Sequence, residues 1–405
     1  MMMKESGAGQ KKESVPVLYT DRRTCCGCTA CLEACPAGAI SMKRDREGFL
    51  YPVIREDSCI RCGLCERVCA FKADQREKHT SCKADRFEEP LVYAVRHRDL
   101  DVRMASRSGG IFTALTDEWL AAGGVIYGCV LDEHFQAYHM RAESAADRDR
   151  MRGSKYIQSD LGDIFRNVRE DLKSGREVLF SGTSCQVAGL RRFLNGNPEN
   201  LFCVDIVCHG VPSPAAWKKY LQWQEEKRGL KAVSVDFRNK RDFGWKDHVE
   251  SIYFSDGSRT DSTVFKNLFY GHWILRPSCF SCPYKDVMHP GDITIADYWG
   301  IDKAAPGFSD NKGVSLVLVN TPEGDAMFRK VSDALDFRET DLALSMQPPL
   351  QAPFPEPADR YRFWNEFYSK PFGYLARKYG TESAAVRLKK KYRSIRKKIA
   401  GRLKR

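Results

Sequence analysis

Read for apolar and polar positions, the chain separates into stretches of different period. From Leu91 onward, short runs rich in β-branched and aromatic residues recur at Leu91–Val95, Val125–Val130, Val178–Phe180, Phe202–Val207, Val233–Phe237, Ile252–Phe254, Ile293–Ala296 and Ser315–Val319. Each has the length and composition of a strand. Between them, Ile111–Ala121, Asp163–Lys173, Val187–Leu194 and Pro214–Lys227 carry helical spacing. Strands alternating with helices predict an α/β core from Leu91 to about Arg338. Asp256-Gly257 between two alternating stretches predicts a hairpin turn. The first 20 residues form a polar arm, residues 21–71 are cysteine-rich, and residues 72–90 are charged without an apolar period, as a linker would be. Residues 346–405 are aromatic first and then basic, and are expected to be helical.

Composition changes this picture little. With 405 residues, 42% hydrophobic and 29% charged, the chain is long enough for two to four packed units and is not a disordered one. The formal charge of +12 is concentrated at the end: Arg387 to Arg405 holds eleven Lys or Arg and no acid. The rest is nearly balanced, so global basicity is no argument for nucleic acid. In the same tail Leu388, Tyr392, Ile395, Ile399 and Leu403 fall on one helical face, an arrangement suited to an anionic membrane surface or an acidic partner. Met1 to Pro16 lacks the apolar core of an export signal. A cytoplasmic protein is expected, with the tail allowing attachment to the inner face of the membrane.

The sixteen cysteines carry the chemistry. Cys25, Cys28, Cys31 and Cys35 follow C-x2-C-x2-C-x3-C with Pro36 next, and Cys59, Cys62, Cys65 and Cys69 repeat the spacing with Ala70 in the proline position. Three closely spaced thiolates wrap three corners of a cubane, and the fourth of each run reaches the other cluster. The spacing therefore predicts two 4Fe–4S clusters, one on Cys25, Cys28, Cys31 and Cys69, the other on Cys59, Cys62, Cys65 and Cys35. Paired zinc sites would need C-x2-C units rather than four cysteines in eleven residues. Lys43 to Gly48 supplies the turn of a hairpin between the runs. Cys26 is out of register and has no ligand role in the spacing. Such a module passes single electrons, and the remaining three hundred residues must supply its purpose.

Those residues contain Ser108-Gly109-Gly110-Ile111-Phe112-Thr113, Gly153-Ser154-Lys155-Tyr156, Ser181-Gly182-Thr183-Ser184-Cys185-Gln186, and the run from Asp205 through Cys208-His209-Gly210 to Pro214. Cys279-Phe280-Ser281-Cys282 and Gly291–Gly300 follow. In this order the segments resemble the beta-subunit family of coenzyme F420 hydrogenases and dehydrogenases, which also includes plant-type chlorophyll-derivative reductases. The resemblance implies an α+β protein: a bacterial-ferredoxin-like dicluster domain (21–71), a family N-terminal-like region (91–172), a flavin domain (173–345) and the basic helical tail. It implies an oxidoreductase passing electrons between 4Fe–4S clusters and FAD, with a deazaflavin-like or other small redox substrate and a redox partner protein or small-molecule donor. The alternatives are an electron-transfer subunit without its own substrate and a non-enzymatic redox sensor.

Residue chemistry accompanies the resemblance. Ser108, Gly109, Gly110 and Thr113 stand at a helix start, where free amides attract phosphate. Lys155 is a candidate cation for phosphate or flavin. Gly182, Thr183 and Gln186 follow a strand end, where ligands of α/β sheets collect. Cys185, Cys208, Cys279 and Cys282 come from three loops and can close a third cubane; zinc, a redox dithiol or apolar burial are the other readings. Cys129 and Cys203 are read as core residues, His209 as a proton donor or a structural histidine. Arg238, Lys240, Arg241, Lys246 and His248 around Trp245 form a cationic patch, and Asp297, Tyr298 and Trp299 end a strand as packing residues.

Overall fold

The computed structural model describes residues 14–72 and 86–381. The hairpin expected between the cysteine runs is β1 (Ile40–Arg44) and β2 (Leu50–Ile54), antiparallel with Ile40 opposite Ile54. Two four-residue helices, Ala30–Glu33 and Leu64–Arg67, follow the bends of the cysteine runs.

The main body is one mixed sheet of eight strands. In chain order its strands are β3 (Leu91–His97), β4 (Val125–Leu131), β5 (Ala137–Ala142), β6 (Val178–Thr183) and β7 (Leu201–Ile206). A small antiparallel sheet of β8 (Ala232–Asp236), β9 (Glu250–Phe254) and β10 (Arg259–Ser262) intervenes, with the turn at Asp256-Gly257 joining β9 to β10. The large sheet then gains β11 (Ile293–Asp297), β12 (Ser315–Val319) and β13 (Leu335–Glu339), in the order β13-β3-β12-β11-β7-β6-β4-β5. Strands β4, β6, β7 and β11 are mutually parallel. They are covered on both faces, which is why they read as unbroken apolar runs. The regions 91–172 and 173–345 both contribute strands, so they share one sheet.

Helices cover both faces. Ile111–Ala121 packs with Tyr93, Ile126, Leu179 and Val317 on one side. On the other, Ile164–Lys173 and Ser184–Leu194 pack with Val125, Tyr127, Phe180 and Cys203, and this core continues into the ferredoxin-like module through Ala30 and Val68. An aromatic cluster gathers the helices Pro214–Arg228, Val264–Tyr270, Arg360–Ser369 and Phe372–Lys378 against the small sheet. The helical expectation for the end of the chain thus holds for its aromatic part; the basic stretch from Arg387 lies outside the described residues. Of the linker segment, Phe87 is packed against the sheet and its N–H donates to the Asn320 carbonyl. Among the described residues, no helix is long and apolar enough to cross a membrane.

The module is fixed to the body by buried bonds. Glu47, in the β1–β2 turn, pairs with Arg360, whose side chain is 6% exposed against 5% for the carboxylate. Arg166 Nε donates to the Glu33 carbonyl at 3.0 Å, and the Tyr284 hydroxyl donates to the Ala70 carbonyl at 3.0 Å. A Cβ at Gly189, on the helix Ser184–Leu194, would lie 2.9 Å from Cys28 Sγ. Glycine is required there because the cysteine run approaches the helix backbone so closely.

Candidate redox site

The two cysteine runs exchange their last members in space. Cys35, Cys59, Cys62 and Cys65 line one small cavity beside Ile60, which is half exposed. Burial raises the thiol pKa of Cys69, and the charges that raise it further are those of Cys28 and Cys25, from the other run. Cys31 likewise feels Cys28, Cys25 and Cys69. Cys35 therefore sits among the cysteines of the second run, and Cys69 within electrostatic reach of the first, while Cys31 also feels Cys65.

A cavity of about 580 Å³ opens at the carboxyl ends of β6, β7 and β11, where a parallel sheet leaves room for ligands, and its size is that of a cofactor or substrate pocket. The motifs read separately along the chain meet on its wall: Ser108 and Gly110, Gly153 to Tyr156, Ser181 to Gln186, Cys208 to Gly210, Cys279 and Cys282, Asp297 and Trp299. Cys129 packs against the aromatic core, as its core reading expects, and also lines the cavity, whereas Cys203 is fully buried. Asp297 and Trp299 belong to the wall rather than to packing alone; Tyr298 is fully buried.

Cys185, Cys208, Cys279 and Cys282 are close enough to shift one another's titration: Cys279 feels Cys208 and Cys185, and Cys282 feels Cys185 and Cys279. Burial is the leading cause that raises both. The Val211 N–H donates to Cys279 Sγ at 3.4 Å. Among the described residues no three Cys, His, Asp or Glu side chains are set to hold a single metal ion.

Cys26, out of register in the sequence, is the link between the two groups. It is buried, and its side chain hydrogen-bonds both Cys28 and Cys185, which raises its own pKa. The same bonds lower the pKa of Cys28 and Cys185. Cys26 carries one S–H, so it donates to one of these two sulfurs at a time.

Arg276 escapes a reading of the sequence because its function depends on residues distant in the chain. It is fully buried, donating to the carbonyls of Cys25 and Leu50, each at 2.9 Å, and to Gln158 Oε1 at 2.8 Å. Its Nη2 lies 3.8 Å from Cys25 Sγ and its guanidinium 4.2 Å from the Tyr51 ring centre.

Other candidates resolve unevenly. Gly110 has φ +98° and ends the approach to the helix Ile111–Ala121, whose N-terminus no side chain caps. Gly109 does not line the cavity: a Cβ there would strike the Val95 carbonyl at 2.0 Å. Thr113 is buried away from it and accepts from Arg152 Nε at 3.1 Å. The side chains of Thr183 and Gln186 form a capping box that starts the helix Ser184–Leu194, while Gln186 Nε2 also donates to Ser159. Lys155 faces the cavity but donates to the carbonyls of Arg150, Arg152 and Gly153 at 2.9–3.2 Å, which engages its three protons in the loop. Burial lowers its pKa to about 8. His209 Nε2 is 3.0 Å from His272 Nε2, and burial, with His272 and Lys285, lowers its pKa to about 3.

The cationic patch divides. Arg238 lines the cavity, whereas Lys240 points inward to the Ser108 carbonyl at 3.2 Å, Arg241 is exposed, Lys246 pairs with Asp302 and His248 meets the Tyr270 hydroxyl at 3.2 Å. The cavity wall carries Arg107, Arg152, Lys155, Arg238, Arg276 and Lys285, against one carboxylate among the described residues, Asp297. Such a wall favours an anionic occupant.

Residues 175–343 match the family described as the C terminus of the coenzyme F420 hydrogenase/dehydrogenase beta subunit, and residues 24–73 match the 4Fe-4S dicluster domain. An uncharacterized ferredoxin of Methanocaldococcus jannaschii is 37% identical over 81 residues, 19% of this chain and 45% of that protein. The chain thus spans less than half the length of this curated relative. A chain of the F420-reducing NiFe hydrogenase complex from Methanosarcina barkeri superposes with a TM-score of 0.45 at 19% identity, over 62% of this chain and 82% of that one.

Proposed function

We propose, for a chain that joins a 4Fe-4S dicluster domain to the C-terminal domain of the coenzyme F420 hydrogenase/dehydrogenase beta subunit, an iron–sulfur flavoprotein oxidoreductase acting on a small redox substrate. The observation that carries this reading is the junction of the ferredoxin-like module with a cationic cavity: Cys26, inside the first cysteine run, lines the cavity wall together with Cys185, Cys208, Cys279 and Cys282.

Cys35, Cys59, Cys62 and Cys65 would hold one cluster beside the exposed Ile60, and Cys25, Cys28, Cys31 and Cys69 a second against the main body. Cys185, Cys208, Cys279 and Cys282 would hold a third at the cavity. The residues present also fit a dinucleotide flavin: Gly110 and the uncapped start of the helix Ile111–Ala121 suit a phosphate, and the basic wall suits its charge. Bound there, FAD would supply the exchange between one-electron transfer and two-electron or hydride chemistry. The chain's part is positional. Arg276 fixes the first cysteine run against β2 and Gln158, Lys155 ties down the loop at Gly153, and the pair His209 and His272 can hold a proton at Nε2 beside Cys208.

Anaerobic reconstitution tests the reading. About twelve irons per chain and one extractable FAD are expected, since each cubane contributes about four irons. About eight irons would remove the third cluster, and protein that takes up no flavin would remove the flavoprotein reading. Reduction of the reconstituted protein alone by a nicotinamide, deazaflavin or ferredoxin donor would distinguish an enzyme with its own substrate from an electron-transfer subunit.

A further inference from the structure

Two arginines on the cavity wall share one carboxylate in direct contact. Arg107 stands before the Ser108-Gly109-Gly110 segment with its side chain 10% exposed. Its Nη2 donates to the Trp245 carbonyl at 2.9 Å, while Nε and Nη1 are buried without a hydrogen-bond partner. Its Nε is 3.5 Å from Asp297 Oδ2, an ionic distance too long for a good hydrogen bond. Arg238, 3% exposed, takes that same oxygen at 2.8 Å, reaches the same Trp245 carbonyl at 3.3 Å and leaves its own Nε unpartnered. Asp297 Oδ1 is occupied by Trp245 Nε1 at 2.7 Å. Asp297 is the carboxylate in contact with both guanidinium groups, with Asp236 within electrostatic reach, and both arginines line the cavity.

Buried donors without partners are costly, and proteins keep them where a ligand completes the set. The shared anchors on Trp245 and Asp297 hold the two groups side by side at the cavity wall. A guanidinium offers paired N–H donors that match a phosphate or carboxylate.

We propose that Arg107 and Arg238 form an anion clamp that takes a phosphate or carboxylate group of the cavity's ligand. The clamp rests on the cavity being the redox site proposed above. It extends that reading by requiring an acidic group on what binds there, either the phosphates of the flavin or the acid function of the substrate. Trp299, 39% exposed and stacked on Trp245 at 5.1 Å and 6°, borders it, with the Arg238 guanidinium 5.2 Å from its ring centre. An occupant with an aromatic ring next to its anion would find a complementary wall.

The test is titration of cluster-reconstituted, flavin-free full-length protein with inorganic pyrophosphate, followed by calorimetry, for wild type, Arg107→Gln and Arg107→Lys. Saturable binding by wild type, weakened about 10-fold or more in Arg107→Gln and within a few-fold in Arg107→Lys, is expected for the loss of charge-assisted bonds. FAD and riboflavin titrated into flavin-free protein separate the sources. An Arg107→Gln change that weakens FAD but not riboflavin assigns the clamp to the flavin phosphates; unchanged FAD binding with weakened pyrophosphate binding assigns it to the substrate's acid. Wild-type protein that does not bind pyrophosphate saturably, or Arg107→Gln binding it as wild type does, overturns the clamp. The flavin reading is judged apart, by extractable FAD, so each can fail without the other.

Discussion

Replacing Arg276 by glutamine removes a buried positive charge next to the first cysteine run, and the structure gives the size of the effect. With Nη2 3.8 Å from Cys25 Sγ, a unit charge pair at an effective dielectric of about 20 interacts at about 4 kcal/mol. The electron gained on reduction spreads over the whole cubane, so roughly half of that, ~2 kcal/mol, is the working figure. For a one-electron couple about 59 mV corresponds to a tenfold equilibrium change of about 1.4 kcal/mol. The midpoint potential of the cluster proposed on Cys25, Cys28, Cys31 and Cys69 should therefore fall by roughly 80 mV. The sign follows from the guanidinium favouring the more negative, reduced state.

Arg276 also serves the carbonyls of Cys25 and Leu50 and Gln158 Oε1, so Arg276→Gln should lower stability as well, by about 1–3 kcal/mol for each acceptor left dry. Arg276→Lys separates the two effects. It keeps the charge but not the fork, so it should lose stability while the potential stays within roughly 20–30 mV of wild type. Redox titration followed by electron paramagnetic resonance, with iron content measured on the same samples, reads both. A cluster potential unchanged in Arg276→Gln at full iron content would refute the electrostatic argument.

Three further outcomes are expected. In Gly189→Ala, about 1 kcal/mol of helix propensity is gained, but the new Cβ stands 2.9 Å from Cys28 Sγ and overpacking costs about 1–3 kcal/mol; urea unfolding should show a net loss of up to ~2 kcal/mol, and a stabilised variant would contradict the close approach. Glu47→Ala breaks the buried pair with Arg360 and should cost about 3–5 kcal/mol in guanidinium unfolding, a loss below ~1 kcal/mol being incompatible with a buried pair. Glu250 is 2% exposed, and burial raises its pKa from 4.5 to about 7. Its stabilising contribution is complete below about pH 4.5 and is lost as pH rises through about 7, by up to ~3 kcal/mol. Glu250→Gln should accordingly be more stable than wild type at pH 8 and lose this advantage at pH 5; parallel stability profiles would refute it.

Much of this is legible in the chain because its signals are local. The run Ser315–Val319 and the helix Ile111–Ala121 appear with the boundaries their apolar patterns give, and Cys35 sits among the cysteines of the second run, as the cysteine spacing expects. Strand β5, Ala137–Ala142, escapes because an edge strand buried on one face carries His139 and Arg141 among its residues, so its apolar run is broken. Cys129 sits in an apolar strand and packs against core as it reads, yet it also lines the cavity wall. The helix start at Ser108-Gly109-Gly110 reads as one cradle, but Gly109 is small to admit the Val95 carbonyl of a neighbouring strand, and Thr113 holds Arg152. Cys26 and Arg276 cannot be found locally. Their partners, Cys185 for one and Cys25, Leu50 and Gln158 for the other, are over a hundred residues away in sequence.

The helix Ala30–Glu33 is four residues long, too short to persist without something binding its flanks, and the cysteines beside it are what a cluster would grip. Yet Ala30 is part of the same core as Phe165, Phe180 and Leu190. One face of the large sheet is thus completed by a segment whose shape would depend on the cluster proposed for its flanking cysteines. A chain made when iron is scarce would leave that apolar face uncovered, open to proteases and to aggregation. Cofactor supply would then govern how long the polypeptide survives as well as whether it works, and assembly of the metal centres would act as a checkpoint in its maturation.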